Sequence, residues 1–154
     1  MGGPSELGLR SSVRHAAAVR AGAGRVVQVR PRRLVAPADV DSLSAGIVEA
    51  LLFAGPGAVI CADYRQVKPL SPHVVSVWAR AMRSVNQAIA GSALLLDPSN
   101  TIFNLQVQRA VHCAGNSKRR VFTDLDELRL WVDRTLTHAE REALDTFLAS
   151  DGPR

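Results

Sequence analysis

Apolar residues along this chain fall into two alternating patterns. Short unbroken runs, Ala58-Val-Ile-Cys-Ala62, Ser92-Ala-Leu-Leu-Leu96 and Arg120-Val-Phe122, are bounded by glycine, aspartate or threonine. Such runs mark strands covered on both faces. Between them, apolar residues recur every three or four positions. Val40, Leu43, Ile47 and Leu51 predict a helix that starts at Asp39 or Asp41 and ends at Gly55-Pro56-Gly57. Val74, Val77, Trp78, Met82, Val85 and Ile89 predict a long helix from Pro72 to about Ala90, stopped by Gly91. A shorter one runs from Leu105 to Ala114, with Gly115-Asn116 as its C-cap. Leu125, Leu128, Trp131, Val132 and Leu136 line the inner face of a helix entered through Thr123 or Asp124. Thr137-His-Ala-Glu140 has the spacing of a capping box and opens a last helix to about Ser150. Upstream, Arg25-Val-Val-Gln-Val-Arg30 predicts a first strand and Leu34-Val-Ala36 a further short extended piece.

Short buried strands alternating with helices call for an α/β fold. The expected sheet is mixed but mostly parallel, of about four strands, with helices packed against it. Residues 25–150 form the expected domain. Residues 1–24 hold spaced arginines, glycines and small residues with Glu6 as the only acid, and predict a basic tail with little to bury.

The chain has 154 residues and 47% apolar content, enough for one domain with a real core. Its net charge of +5 is carried almost entirely by arginine, since Lys68 and Lys118 are the only lysines. That arginine bias, with abundant Ala, Val and Leu, matches high-GC bacterial coding and weakens any inference from basicity to nucleic-acid binding. Aromatics at 5% offer few platforms for base stacking. Cys61 and Cys113 lie far apart in apolar surroundings, which predicts buried, reduced thiols and a cytoplasmic setting. No apolar run is long enough to span a membrane, and no secretory leader is expected.

Doubly wound sheets place function at the carboxyl ends of their strands. Here those ends carry Asp63, Asp97 and Asp124, three acids that would suit magnesium if they converged, as in a receiver-like protein. Asp97 precedes proline, however, and Asp124 is well placed as a helix cap. There is no phosphate-cradling glycine motif and no nucleophile elbow. His15, His73, His112 and His138 have no zinc-ligand spacing, and His73 and His112 fall near helix ends. The turn Gly115-Asn-Ser-Lys-Arg-Arg120 makes Lys118 and Arg119 candidate anion contacts, against the plainer reading of a solvated surface turn. No enzymatic activity, metal or cofactor is expected from this set.

A buried strand ending in Asp63, the segment Arg65-Gln-Val-Lys-Pro-Leu-Ser71 and an amphipathic helix together resemble the STAS-like superfamily, which includes bacterial anti-sigma-factor antagonists. The stretch Arg119-Arg-Val-Phe-Thr-Asp-Leu-Asp-Glu-Leu-Arg-Leu-Trp131 is similar to the ending of a looser group of small bacterial STAS-like proteins. The resemblance covers about residues 25–136. It implies a regulatory or scaffold module that docks a protein partner, or itself, through the loop and helix start at 64–78. Tyr64, Arg65, Lys68, Ser71 and His73 are the candidate contacts, with Trp78 nearby. In the antagonists a serine at the helix start is phosphorylated, and the matching position here is Pro72, which has no hydroxyl. Ser71 is then better read as the helix cap. The looser group also resembles lipid-transfer folds, so a small hydrophobic or lipid ligand is the alternative, favoured if a large apolar pocket separates sheet from helices. A strand near Arg25–Arg30 is expected to form an edge able to pair with another chain.

Overall fold

The computed structural model describes residues 18–150, so residues 1–17 of the expected tail lie outside it. Strand β1 (Val19–Ala21) turns back into β2 (Val26–Val29). Three repeats of helix and strand then follow the pattern of the sequence: α1 (Pro37–Ala54), β3 (Ala58–Asp63), α2 (Pro72–Ser84), β4 (Ile89–Leu95), α3 (Thr101–Ala114) and β5 (Arg119–Phe122). Two helices close the domain, α4 (Leu125–Asp133) and α5 (His138–Ala149). The five strands lie in the order β1-β2-β3-β4-β5. β1 is antiparallel to β2 and every other neighbouring pair is parallel.

The α/β class and the mixed, mostly parallel sheet agree with expectation, while the sheet has five strands instead of about four. The extra strand comes from residues assigned to the tail. Val19 pairs with Val29 and is buried, so the ordered domain begins before residue 25. The edge is therefore β1, and the Arg25–Arg30 strand is interior. Leu34-Val-Ala36 is not a strand, although Leu34 is buried.

The pleat sorts β-residues to two faces. Val27, Val29, Ile60, Ala62 and Leu94 face α1, α2 and α3. Val26, Val59, Cys61, Ala93 and Leu95 face α4 and α5. Covering both faces is what lets the strands read as unbroken apolar runs. Helix ends follow local chemistry. The Asp39 carboxylate accepts from the Val35 and Ala36 amides at 2.9 Å, opening α1. Asp124 accepts from Asp126 N at 2.8 Å. Thr137 and Glu140 form the reciprocal capping box: Glu140 N donates to Thr137 Oγ1 and Thr137 N donates to Glu140 Oε1.

Glu140 also ties the two termini of the domain together. It is 3% exposed and accepts from Arg25 N at 2.7 Å and Arg25 Nη2 at 3.0 Å. Gly24, in the hairpin, has φ +59°, and a Cβ there would stand 2.5 Å from Glu140 Oε2. Both the positive φ and the close carboxylate require glycine.

Candidate functional site

At the carboxyl ends of the parallel strands, Asp63 closes β3 with its carboxylate 6% exposed as a residue. Oδ1 accepts from Arg65 N at 3.1 Å and Arg65 Nε at 2.9 Å. Oδ2 accepts from Arg65 Nη2 at 3.0 Å and Arg30 Nε at 3.1 Å. Burial alone would raise this carboxyl, but the two guanidinium groups outweigh it and hold the value below its ordinary range. The arginines continue onward to the end of α5. Arg30 donates to the Phe147 carbonyl and to Ser150 Oγ, and Arg65 Nη2 donates to the Leu148 carbonyl at 3.0 Å. Cations thus satisfy the orphaned carbonyls of the last helical turn.

The docking residues expected from sequence divide into three groups. Tyr64 and Trp78 are 4% and 2% exposed, and with Phe103 they form an aromatic cluster beneath the loop. Tyr64 meets Trp78 edge-on at 5.2 Å between centroids, and Trp78 stacks on Phe103 at 6.3 Å. Tyr64 is therefore a core residue and not a surface contact. Burial pushes its hydroxyl up to about 12, opposed by the Trp78 hydrogen bond and the nearby Arg119 charge. Arg65 is half-buried and ion-paired with Asp63, so it serves the α5 junction instead of standing free in the loop. Lys68, Ser71 and His73 are exposed.

The loop that carries these residues is firmly held. Val67 and Leu70 are buried in it. Gln106 of α3 accepts from Leu70 N at 2.9 Å and donates to Leu70 O at 2.7 Å, while Asn100 Nδ2 donates to Val67 O at 2.9 Å. Ser71 Oγ accepts from Val74 N at 3.3 Å, which is the N-cap role. One turn away on α3, Ile102 and Leu105 are 64% and 67% exposed. Sequence reasoning missed both because it began this helix at Leu105. Starting at Thr101 puts Phe103, Val107, Ala110 and Ala114 on the buried stripe and leaves Ile102 and Leu105 outside it.

The three acids do not converge. Asp63 is engaged by arginines, Asp97 accepts from Ser99 N and Oγ, and Asp124 caps α4. The Ser99 hydrogen bonds lower the Asp97 carboxyl. Among the described residues no group of three or more His, Cys, Asp or Glu could hold a metal ion. At the opposite end of the sheet, Lys118 is exposed, but Arg119 is 8% exposed and turns inward to the Met82 carbonyl and Asn86 Oδ1. Arg119 is therefore not a surface anion contact. Cys61 is buried, its thiol pushed up to about 12 chiefly by burial, whereas Cys113 is exposed, contrary to expectation.

Two cavities bear on a small ligand. The interior one, between sheet and α1–α2, holds about 30 Å³. An open apolar groove of about 760 Å³, lined by Val48, Leu51, Leu52, Pro56, Val85 and Ile89, lies at the amino ends of the strands. Among the described residues no helix is long and apolar enough to cross a membrane. No family model, curated protein or solved structure matches the chain.

Proposed function

We propose that this chain is a non-enzymatic, STAS-like regulatory or scaffold module of a bacterial cytoplasm that acts by docking a protein partner at the carboxyl end of its sheet. The observation that carries the proposal is that Lys68, Ser71 and His73 stand exposed on a loop and helix start hydrogen-bonded to α3, on which Ile102 and Leu105 are also exposed. The side-chain amide of Gln106 ties the two segments together, so a partner would meet a preorganised surface. Its chemistry suits a protein face with an apolar centre for Ile102 and Leu105 and carboxylates for Lys68. The polar groups beside it, Asp63, Asp97 and Asn100, are engaged in holding backbone, which argues against chemistry at this end. Free cysteines fit a reducing compartment.

The test is affinity capture from the native organism with wild type, a Lys68→Ala/His73→Ala variant and an Ile102→Ser/Leu105→Ser variant. A specific protein recovered with wild type and lost with both variants, whose melting curves stay unchanged, is the expected result. A partner retained by both variants would place docking elsewhere. Arg65 is left intact because its loss would loosen α5.

A second reading, a binder of a small hydrophobic ligand, is favoured by the groove at the other end. Its volume falls within the range of small-molecule sites, roughly 300–1,000 Å³. The interior cavity is too small for such a ligand. Displacement of a fluorescent fatty acid that is abolished by Leu52→Glu would support this reading over docking.

A further inference from the structure

The outer side of α1 is apolar, whereas α2 turns Arg80 and Arg83 to water and α5 turns Glu142 and Asp145. From Leu34 to Tyr64 the chain holds no Lys, Arg or His, and between Asp41 and Asp63 its only charge is Glu49. Val40, Leu43, Ala50 and Leu51 of α1 face the core. On its far side Val48, Leu52 and Phe53 are 44%, 81% and 83% exposed. A helix that is apolar all round is ordinarily a buried one, so one side of α1 is missing its cover.

The shape of this side says what covers it. Leu52 stands between two hollows and lines both. One is the groove of about 760 Å³ against the end of α2, walled by Val48, Leu51, Pro56, Val85, Gln87 and Ile89, and none of the described residues lining it is charged. The other, of about 500 Å³, lies against β1 and includes Phe53 in its wall. An apolar projection beside an apolar hollow on one patch is self-complementary, because a two-fold rotation sets the projection of each copy in the hollow of the other. A neutral side chain entering a neutral groove strands no charge. Val48, Leu52 and Phe53 present roughly 400 Å² of apolar surface, the size at which a patch on a monomer is often functional. A standard interface takes about 800 Å² from each partner, and the groove walls are there to supply the remainder. An anionic membrane surface would require flanking basic residues, and residues 34–64 have none.

We propose that this face is the interface of a homodimer in which Leu52 and Phe53 of each copy enter the groove between α1 and the end of α2 of the other. The groove lies at the amino ends of the strands, so the dimer keeps both carboxyl-end docking surfaces free and presents that surface twice. It also fills the space in which a small hydrophobic ligand would sit, so dimer and ligand exclude one another.

Sedimentation velocity on the full chain tests it. At roughly 100 μM, a concentration that fills even a weak interface of this size, the wild type is expected at twice the 16.5 kDa of one chain. Leu52→Lys/Phe53→Lys, a change at two exposed positions, should halve that mass while circular dichroism stays native. Ile102→Ser/Leu105→Ser should remain dimeric, which separates this face from the docking surface. Should the lysine variant fail to fold, a cross-link decides the matter. Phe53→Cys mixed with Gln87→Cys, each also carrying Cys113→Ser, should give a disulfide between the two chains on mild oxidation. A wild type that sediments as a monomer, a dimer that survives the lysine substitutions, or no cross-link between the chains would overturn the proposal. A monomer that floats with phosphatidylcholine vesicles would give the face to a membrane surface, and one that does not would give it to a different protein; both outcomes overturn it.

Discussion

The Arg30 guanidinium lies 4.2 Å from the centroid of the Phe147 ring while it donates to the carbonyl of the same residue. One side chain thus grips the last helix by both its aromatic face and its backbone, and Asp63 holds that side chain in place from below at 3.1 Å.

Removing the carboxylate should release this grip. Asp63→Ala leaves Arg30 and Arg65 without their shared partner, and breaking a buried ion pair from one side costs about 3 kcal/mol. Urea unfolding of the variant is expected to give an unfolding free energy lowered by that amount, with an earlier midpoint and an unchanged slope. A loss below about 0.5 kcal/mol, the level of an ordinary surface change, would mean that the cluster does not hold α5.

Acid should weaken the fold through Glu140. Burial raises this carboxyl, but the Arg25 and Thr137 hydrogen bonds outweigh it and bring it from an ordinary 4.5 to about 2. A carboxyl depressed in the folded state stabilises the protein above its unfolded value, and that contribution drains away as pH falls toward the folded one. Melting temperature should therefore drop between about pH 4.5 and pH 2. Glu140→Gln should be less stable at neutral pH and show a shallower acid slope, with the remainder due to Asp63, which is lowered in the same direction. Identical acid slopes for the two proteins would refute the assignment.

The two thiols should differ sharply in reactivity. Cys113 is exposed on α3, whereas Cys61 is buried with its thiol raised to about 12. The thiolate is the reactive form, so a disulfide reagent should modify Cys113 in the native protein and reach Cys61 only on unfolding. Rapid native modification of Cys61, read by peptide mass mapping, would contradict its burial.

Ser71 should act through stability. Losing an N-cap oxygen costs about 1 kcal/mol, so Ser71→Ala should be destabilised by that much, and Ser71→Asp, which can also cap, should recover most of it. A phosphate on Ser71 in protein purified from its native cell would reverse this reading.

The strands were most legible where burial on both faces writes itself as an unbroken run, as in Ala58–Ala62 and the central residues of β4. Capping chemistry was equally readable: Thr137 and Glu140 pair as their spacing predicts. Periodicity failed at the end of α2. Val85 and Ile89 continue the apolar stripe by four residues, yet the helix stops at Ser84, a short 3₁₀ turn follows, and Ile89 opens β4. A stripe records which residues are buried, not which element buries them. β1 was invisible because Val-Arg-Ala has no pattern of its own, and only pairing with β2 makes it a strand. Tyr64 and Arg119 were misplaced for a related reason. Both residue types suit interfaces as well as interiors, and the Trp78–Phe103 pair and the Met82 carbonyl that draw them inward are remote in sequence.

β2 is held at both of its ends by α5: Arg25 by Glu140, and Arg30 by Phe147 and Ser150, across sequence separations of 115 to 120 residues. As the chain leaves the ribosome, the second strand of the sheet is made early, but its partners emerge 115 to 120 residues later. Until then Val26, Cys61 and the neighbouring face lie uncovered, and both arginines lack their acceptors. The α1–α2–α3 side can assemble while synthesis continues. The other side is sealed only when the final helix arrives, so a ribosome that stalls within that helix would release a half-clad sheet, a natural substrate for chaperones and proteases.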